Sequence, residues 1–142
     1  MQLSTWADLE QWVNSTFTRV ASFGDGLLRF DYLFEGEAVP VRLCKVESRA
    51  KTTWVFVCLK VSRVEEIPPM LALDASFKML IGSFFAYRGE LGIGERLPLR
   101  NLDVDTMLET IEALAGAVPE LRRQLIQVTS EPSTETFDHF SD

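Results

Sequence analysis

Apolar residues along this chain change their period several times, and each change marks an element. Trp6, Leu9, Val13, Phe17 and Val20 recur at helical spacing and form one stripe. Thr5-Trp6-Ala7-Asp8 resembles a capping box with Asp in place of Glu, and Gly24 and Gly26 mark an end, so a first helix is predicted over residues 5–21. Leu28, Phe30, Tyr32 and Phe34 then alternate with Arg29 and Asp31, which is a strand pattern. Glu35-Gly36-Glu37 offers a tight turn into a second strand carrying Val39, Val41 and Leu43, with Arg42 on its other face. A polar turn over residues 47–51 leads to a third strand. There Trp54, Phe56 and Cys58 face one side, while Val55, Val57, Leu59 and Val61 face the other. Apolar residues on both sides predict a central strand or one covered on both faces.

Glu65-Glu66-Ile67-Pro68-Pro69 ends that strand and opens a second helix, predicted to reach about residue 83. Its main stripe is Met70, Leu73, Phe77, Leu80, Ile81 and Phe84. A second stripe holds Leu71, Ala75, Met79 and Gly82, with Asp74 and Lys78 between the two. Phe85 and Tyr87 start a fourth strand. A turn near residues 88–92 follows, and Leu91, Ile93, Leu97 and Leu99 alternate along a fifth strand. Asp103 caps a third helix whose buried stripe is Val104, Met107, Leu108, Ile111, Leu114, Ala115 and Val118. Pro119 should kink or restart it, and Leu121 and Leu125 extend the stripe.

The order is helix, three strands, helix, two strands, helix. Short turns join only antiparallel neighbours, so an α+β fold with a five-stranded, mainly antiparallel sheet is predicted. Residues 1–127 form one domain. Residues 128–142, rich in Ser, Thr, Glu and Pro with isolated Phe137 and Phe140, read as a flexible acidic tail.

Composition adds little to this picture except through charge. The chain has 142 residues, 46% of them hydrophobic, and a net charge of −7. That field repels phosphate backbones, so nucleic acid is not expected as a partner. Glu131, Glu135, Asp138 and Asp142 sit in the tail without a Lys or Arg, so the folded part is only mildly acidic. The first residues lack a basic stretch followed by an apolar run, and Asp74, Lys78 and Arg88 interrupt the most apolar region. A cytoplasmic location without membrane attachment is expected. The two cysteines, Cys44 and Cys58, fall on neighbouring strands. A turn centred near Arg49-Ala50 would set Cys44 opposite a residue just before Cys58, so free thiols rather than a direct cross-strand disulfide are expected.

Candidate chemistry is sparse. His139 is the one histidine and it lies in the tail, which leaves a metal site or a histidine-based nucleophile centre without ligands or base. Gly89-Glu90-Leu91-Gly92-Ile93-Gly94 lies between two strands rather than before a helix, so it reads as a hairpin with a bulge, not a phosphate-binding loop. Glu35 with Glu37, and Glu65 with Glu66, are explained by solvated turns and by a helix dipole. Arg29, Arg42, Lys45, Arg49, Lys51, Lys60 and Arg63 interleave with aromatic residues, which can bind single-stranded nucleic acid. The overall charge favours a packed aromatic face and a solvated charged one instead. No catalytic, metal or cofactor-binding residues are expected.

The second helical stripe points further. Ala75 and Gly82 are small enough for another helix to approach closely, and a homodimer contact through Leu71, Ala75, Met79 and Gly82 is expected. Burial of the same stripe beneath the first helix or the tail is the alternative.

The element order resembles that of the type III secretion chaperone-like superfamily, which includes Tir-type chaperones and YbjN-like proteins. The local likeness is Glu95-Arg96-Leu97-Pro98-Leu99-Arg100-Asn101-Leu102-Asp103 before the third helix, similar to that group's final strand and helix cap. The resemblance implies a small acidic homodimer without enzymatic activity that holds a peptide segment of a partner protein. It directs attention to the sheet around Phe30, Tyr32 and Trp54 as a peptide groove. The competing expectation is a regulatory or assembly factor that docks a folded partner.

Overall fold

The structure is a computed structural model that describes residues 1–130. The elements are α1 (Trp6–Thr16), β1 (Thr18–Ser22), β2 (Leu27–Phe34), β3 (Glu37–Glu47), β4 (Thr53–Arg63), a 3₁₀ turn (Val64–Glu66), α2 (Pro69–Phe77), β5 (Ser83–Tyr87), β6 (Glu90–Pro98) and α3 (Val104–Ser130). The strands form one six-stranded sheet in the order β1-β2-β3-β4-β6-β5. Every neighbouring pair is antiparallel. The α+β class is as expected. The sheet has one strand more than the five predicted, and that strand comes from the segment assigned to the first helix.

The N-terminal cap of α1 is the expected one, with Thr5 Oγ1 accepting a hydrogen bond from the Asp8 N–H at 3.1 Å. The helix stops at Thr16 because the next residues are worth more in the sheet. Thr18 and Val20 are β-branched, and such side chains fit a strand better than a helix. Phe17 leaves the helix and stacks on Phe30, with ring centroids 4.1 Å apart and Trp12 edge-on at 5.3 Å. Gly24 and Gly26, at φ 70° and 98°, then turn the chain from β1 into β2. Further along, Glu35 and Gly36 take positive φ of 50° and 83°, as a two-residue hairpin between β2 and β3 demands.

Register decides which side chains share a face. Phe30 lies opposite Val41, Leu43 opposite Val57, and Leu59 opposite Ile93. These residues are fully or almost fully buried and belong to one core with Leu9 and Val13 of α1 and with Met107, Ile111 and Leu114 of α3. Fully burying each such side chain contributes about 1.5–3 kcal/mol. α3 continues through Pro119, where a kink or restart was expected. Val118 before the proline and Leu121 and Leu125 after it all stay buried on one stripe. That shared burial offsets the cost of about 3 kcal/mol for an interior proline. Arg122 Nε donates to the Val61 carbonyl at 2.9 Å and fastens this part of α3 to the end of β4.

The predicted tail begins inside α3, which runs to Ser130. The remainder of that tail, with Phe137, His139 and Phe140, lies outside the described residues. Among the described residues, no helix is long and apolar enough to cross a membrane.

Candidate functional site

The helices close over one face of the sheet. The other face carries the alternate residues of the same strands. Leu27, Cys44, Phe56 and Arg96 form one row across β2, β3, β4 and β6. Arg42, Cys58 and Gly94 form the next. Leu27, Cys44, Phe56 and Phe85 take no part in the core that the helices enclose. They line a groove of about 680 Å³ together with Arg42, Cys58, Tyr87, Arg88, Glu90 and Arg96.

Two glycines of β6 shape this groove. A Cβ on Gly92 would lie 2.6 Å from the Phe85 ring, and one on Gly94 would collide with the Phe56 ring. The missing side chains let both rings approach the β6 backbone and meet each other edge to face, with centroids 5.2 Å apart and planes inclined by 66°. The expected hairpin is present, with Arg88 and Gly89 at positive φ of 50° and 78° in the turn. The irregularity falls on the other side of β6, between Lys60 and Ser62 of β4.

Charge is distributed unevenly round the groove. Glu90 accepts from Arg42 at 3.2 Å and lies 3.7 Å from Lys60. Arg96 lies over the Phe56 ring at 4.6 Å, and Arg88 over the Tyr87 ring at 5.1 Å. Among the described residues, neither of these two guanidiniums has a carboxylate partner. The cations cover aromatic faces and keep their outward N–H groups available.

The cysteines are free, Cys44 half-buried and Cys58 buried. Cys44 lies opposite Phe56, and Cys58 opposite Arg42. The two thiols are therefore diagonal neighbours on one face, in accord with the expectation that they are not directly opposite. The Cys58 thiol has two acceptors in reach, the Arg42 carbonyl at 3.7 Å and Cys44 Sγ. A thiolate is the stronger acceptor of the two once Cys44 ionises. The hydrogen bond from Cys58, opposed by burial and aided by the Arg42 guanidinium, lowers the Cys44 pKa to about 7. The same bond, with burial, pushes the Cys58 thiol well up. One thiol of the pair is thus ready to ionise and the other is held protonated.

The peptide-binding residues suggested by the resemblance do not converge. Phe30 is fully buried against the helices and Tyr32 is partly buried on the same face. Burial and the Glu112 carboxylate of α3 raise the Tyr32 pKa. Trp54 is on the opposite face, beside Val46 and Pro98 at the far end of β4. Alternation sets Phe30 and Tyr32 on one face of β2 and Trp54 with Phe56 on one face of β4, but which of these faces coincide depends on the β2–β3 and β3–β4 registers.

The two stripes of the second helix exchange sides: the one expected to face outward packs inward, and most of the one expected in the core is exposed. Leu71, Ala75 and Met79, expected at a dimer contact, pack partly buried against the core, and Ala72 is buried within it. A Cβ on Gly82 would lie 2.9 Å from both the Gly94 carbonyl and Leu114, so this position is pressed inward as well. The helix ends at Phe77 rather than near residue 83. Ser76 Oγ accepts from Phe84 N–H at 2.6 Å, and Glu95 Oε2 from Gly82 N–H at 2.5 Å, which draws the chain into β5. Phe84 stays partly buried, but the rest of the predicted main stripe faces outward. Met70 is 69% exposed, Leu73 60%, Phe77 95% and Leu80 fully, with Ile81 beside them.

Glu35 and Glu37 are exposed in a turn, and Glu65 and Glu66 in the 3₁₀ segment. Neither pair approaches the groove. No group of three or more potential metal ligands occurs among the described residues. No protein-family model matches the chain, and no curated protein does.

Proposed function

We propose that this chain is a non-enzymatic, chaperone-like protein-binding module that acts as a homodimer and holds a segment of a partner protein. The supporting observation is the exposed apolar stripe of Met70, Leu73, Phe77 and Leu80 on α2 and the loop after it. Large apolar side chains grouped in this way are unfavourable in water, and a contact that removes them gains about 25 cal/mol per Å² before association costs. The contact surface is this outward stripe, in place of Leu71, Ala75, Met79 and Gly82. Asp74 lies among the outward residues and Lys78 follows them, so a two-fold pairing can set each acid near the other copy's base.

The test is sedimentation at several concentrations up to tens of micromolar, comparing wild type with the double variant Phe77→Glu, Leu80→Glu. Wild type should associate reversibly and the variant should remain monomeric with an unchanged circular dichroism spectrum. A wild type that stays monomeric throughout ends the homodimer reading. The stripe would then serve a different protein, as in a regulatory or assembly factor.

A further inference from the structure

The open-face groove brings together features that the protein-binding reading leaves unused. A half-buried thiol stands beside a buried one, two guanidiniums without a carboxylate partner among the described residues lie on the rim, and two aromatic rings in edge-to-face contact form the floor. We propose that this groove is a thiol-exchange site at which Cys44 forms a mixed disulfide with a small, carboxylate-bearing thiol, with Arg88 and Arg96 receiving the carboxylates.

Each part of the ligand class follows from a part of the groove. The volume of about 680 Å³ admits a molecule of tripeptide size. Arg42 is already engaged by Glu90 at 3.2 Å, so anion recognition falls to Arg88 and Arg96. Both are exposed and both are held in place by the ring beneath them. Planar guanidiniums on aromatic faces suit carboxylates better than any other groups in the groove. Cys44 is the reacting sulfur because it is the more accessible of the pair and its charged form is favoured by Cys58 and Arg42.

The step balances without a cofactor. The Cys44 thiolate attacks one sulfur of the small molecule's symmetrical disulfide. A Cys44 Sγ–S bond forms, the small molecule's S–S bond breaks, and its other half leaves as a thiolate that takes a proton from water. Cys44 sulfur is oxidised and the leaving sulfur is reduced. Cys58 acts as a positioning residue, since its S–H stabilises the attacking sulfur.

Register explains why the reaction stops there. Diagonal partners in an antiparallel pair lie about 7–8 Å apart between Cα atoms, and a disulfide needs less than about 7 Å. Cys44 and Cys58 are such partners. Closing them into an internal disulfide would require β3 and β4 to shift against neighbours on both sides. The mixed disulfide on Cys44 is the stable product.

The experiment offers the full chain glutathione disulfide or cystamine at equal concentrations near pH 7, with adducts followed by intact mass and located by peptide mapping. The first reagent carries carboxylates and the second carries amines. The chain's net charge of −7 works against the anionic reagent, so any preference for it must arise locally. Expected is a single glutathione adduct on Cys44 that forms about tenfold faster than the cystamine adduct. Arg88→Gln with Arg96→Gln should remove the preference by slowing the glutathione disulfide reaction, while cystamine, freed from two like charges, should react no more slowly than with wild type. Cys58→Ala should slow both reagents alike. Equal or faster reaction with cystamine overturns the anion site. An adduct on Cys58, or loss of two hydrogens to an internal disulfide as the main product, overturns the thiol assignment. The wild-type preference needs no variant to fold, so the site can be judged from it alone.

Discussion

The two faces of the sheet are built from alternate residues of the same strands, yet they solve the problem of apolar surface differently. On the covered face, Phe30, Leu43, Val57 and Ile93 lie under α1 and α3 and have no exposure at all. On the open face, Phe56 and Phe85 lie against Gly94 and Gly92, and Arg96 covers the Phe56 ring at 4.6 Å. Helices exclude water and everything else. A guanidinium shields a ring but leaves a route to it. The covered face therefore carries stability, and the open face can keep reactive groups such as Cys44 within reach of solvent.

Truncation should separate the two faces most sharply. Phe30→Ala should cost about 3–5 kcal/mol, because the ring is fully enclosed and stacked on Phe17. Phe56→Ala should cost about 1–2 kcal/mol, since it forfeits one cation–π contact, one edge-to-face ring contact and only partial burial. Urea unfolding of both variants checks this, and equal costs would break the comparison.

Adding atoms should cost less than removing them from the core. Gly94→Val would place a side chain where the Phe56 ring lies and 2.9 Å from the Val57 carbonyl. Ring displacement relieves only the first contact, so a loss of about 1–3 kcal/mol is expected. A shift in urea midpoint below what assay error resolves would show that the rings are not seated on β6.

A third prediction concerns pH. Alkylation of Cys44 by iodoacetamide should rise with a midpoint near pH 7, the pKa to which Cys58 and Arg42 bring it. Cys58→Ala removes the leading cause, so the midpoint should move up. A thiol whose pKa is lower in the folded state stabilises the fold above its unfolded value, and this is lost as pH falls through about 7. Cys44→Ser should therefore be more destabilising at pH 9.5 than at pH 6, and the reverse order would show that the thiolate is not favoured in the folded chain.

Much of the covered face was legible from the sequence, and the reason is local. Thr5 as a cap, Gly36 in a two-residue turn and the alternation of β2 to β4 all depend on a few adjacent residues. The end of α1 was not legible, because Phe17 and Val20 fit a helical stripe and a strand equally well, and only the Phe17–Phe30 stack decides between them. The open-face groove required register. Cys44, Phe56 and Arg96 become neighbours only once β3, β4 and β6 are paired, and no spacing within one strand reveals that.

The orientation of α2 was illegible for a related reason, and it yields the smallest expected effect. With nine residues and Asp74 as its one charged side chain, the helix carries too little polar surface for its pattern to fix which side meets water. What selects its inward side is space. Ala72 is buried, and the chain must come within van der Waals contact of Gly94 and Leu114 at Gly82. With Ala72, Ala75 and Gly82 turned inward, Met70, Leu73 and Phe77 are left outside. Two leucines two positions apart therefore make a direct test, measured at protein concentrations low enough to keep association out of the result. Leu71→Glu puts a carboxylate against the core and should cost about 1–3 kcal/mol. Leu73→Glu changes a side chain that is 60% exposed and should stay within about 0.5 kcal/mol of wild type. At high concentration the ranking should reverse in its consequence, because Leu73→Glu then removes a residue of the outward stripe while leaving the fold intact. If Leu73→Glu instead unfolds the isolated chain as readily as Leu71→Glu, the stripe is part of a single-chain core. The surface assigned to self-association would then have to be sought elsewhere.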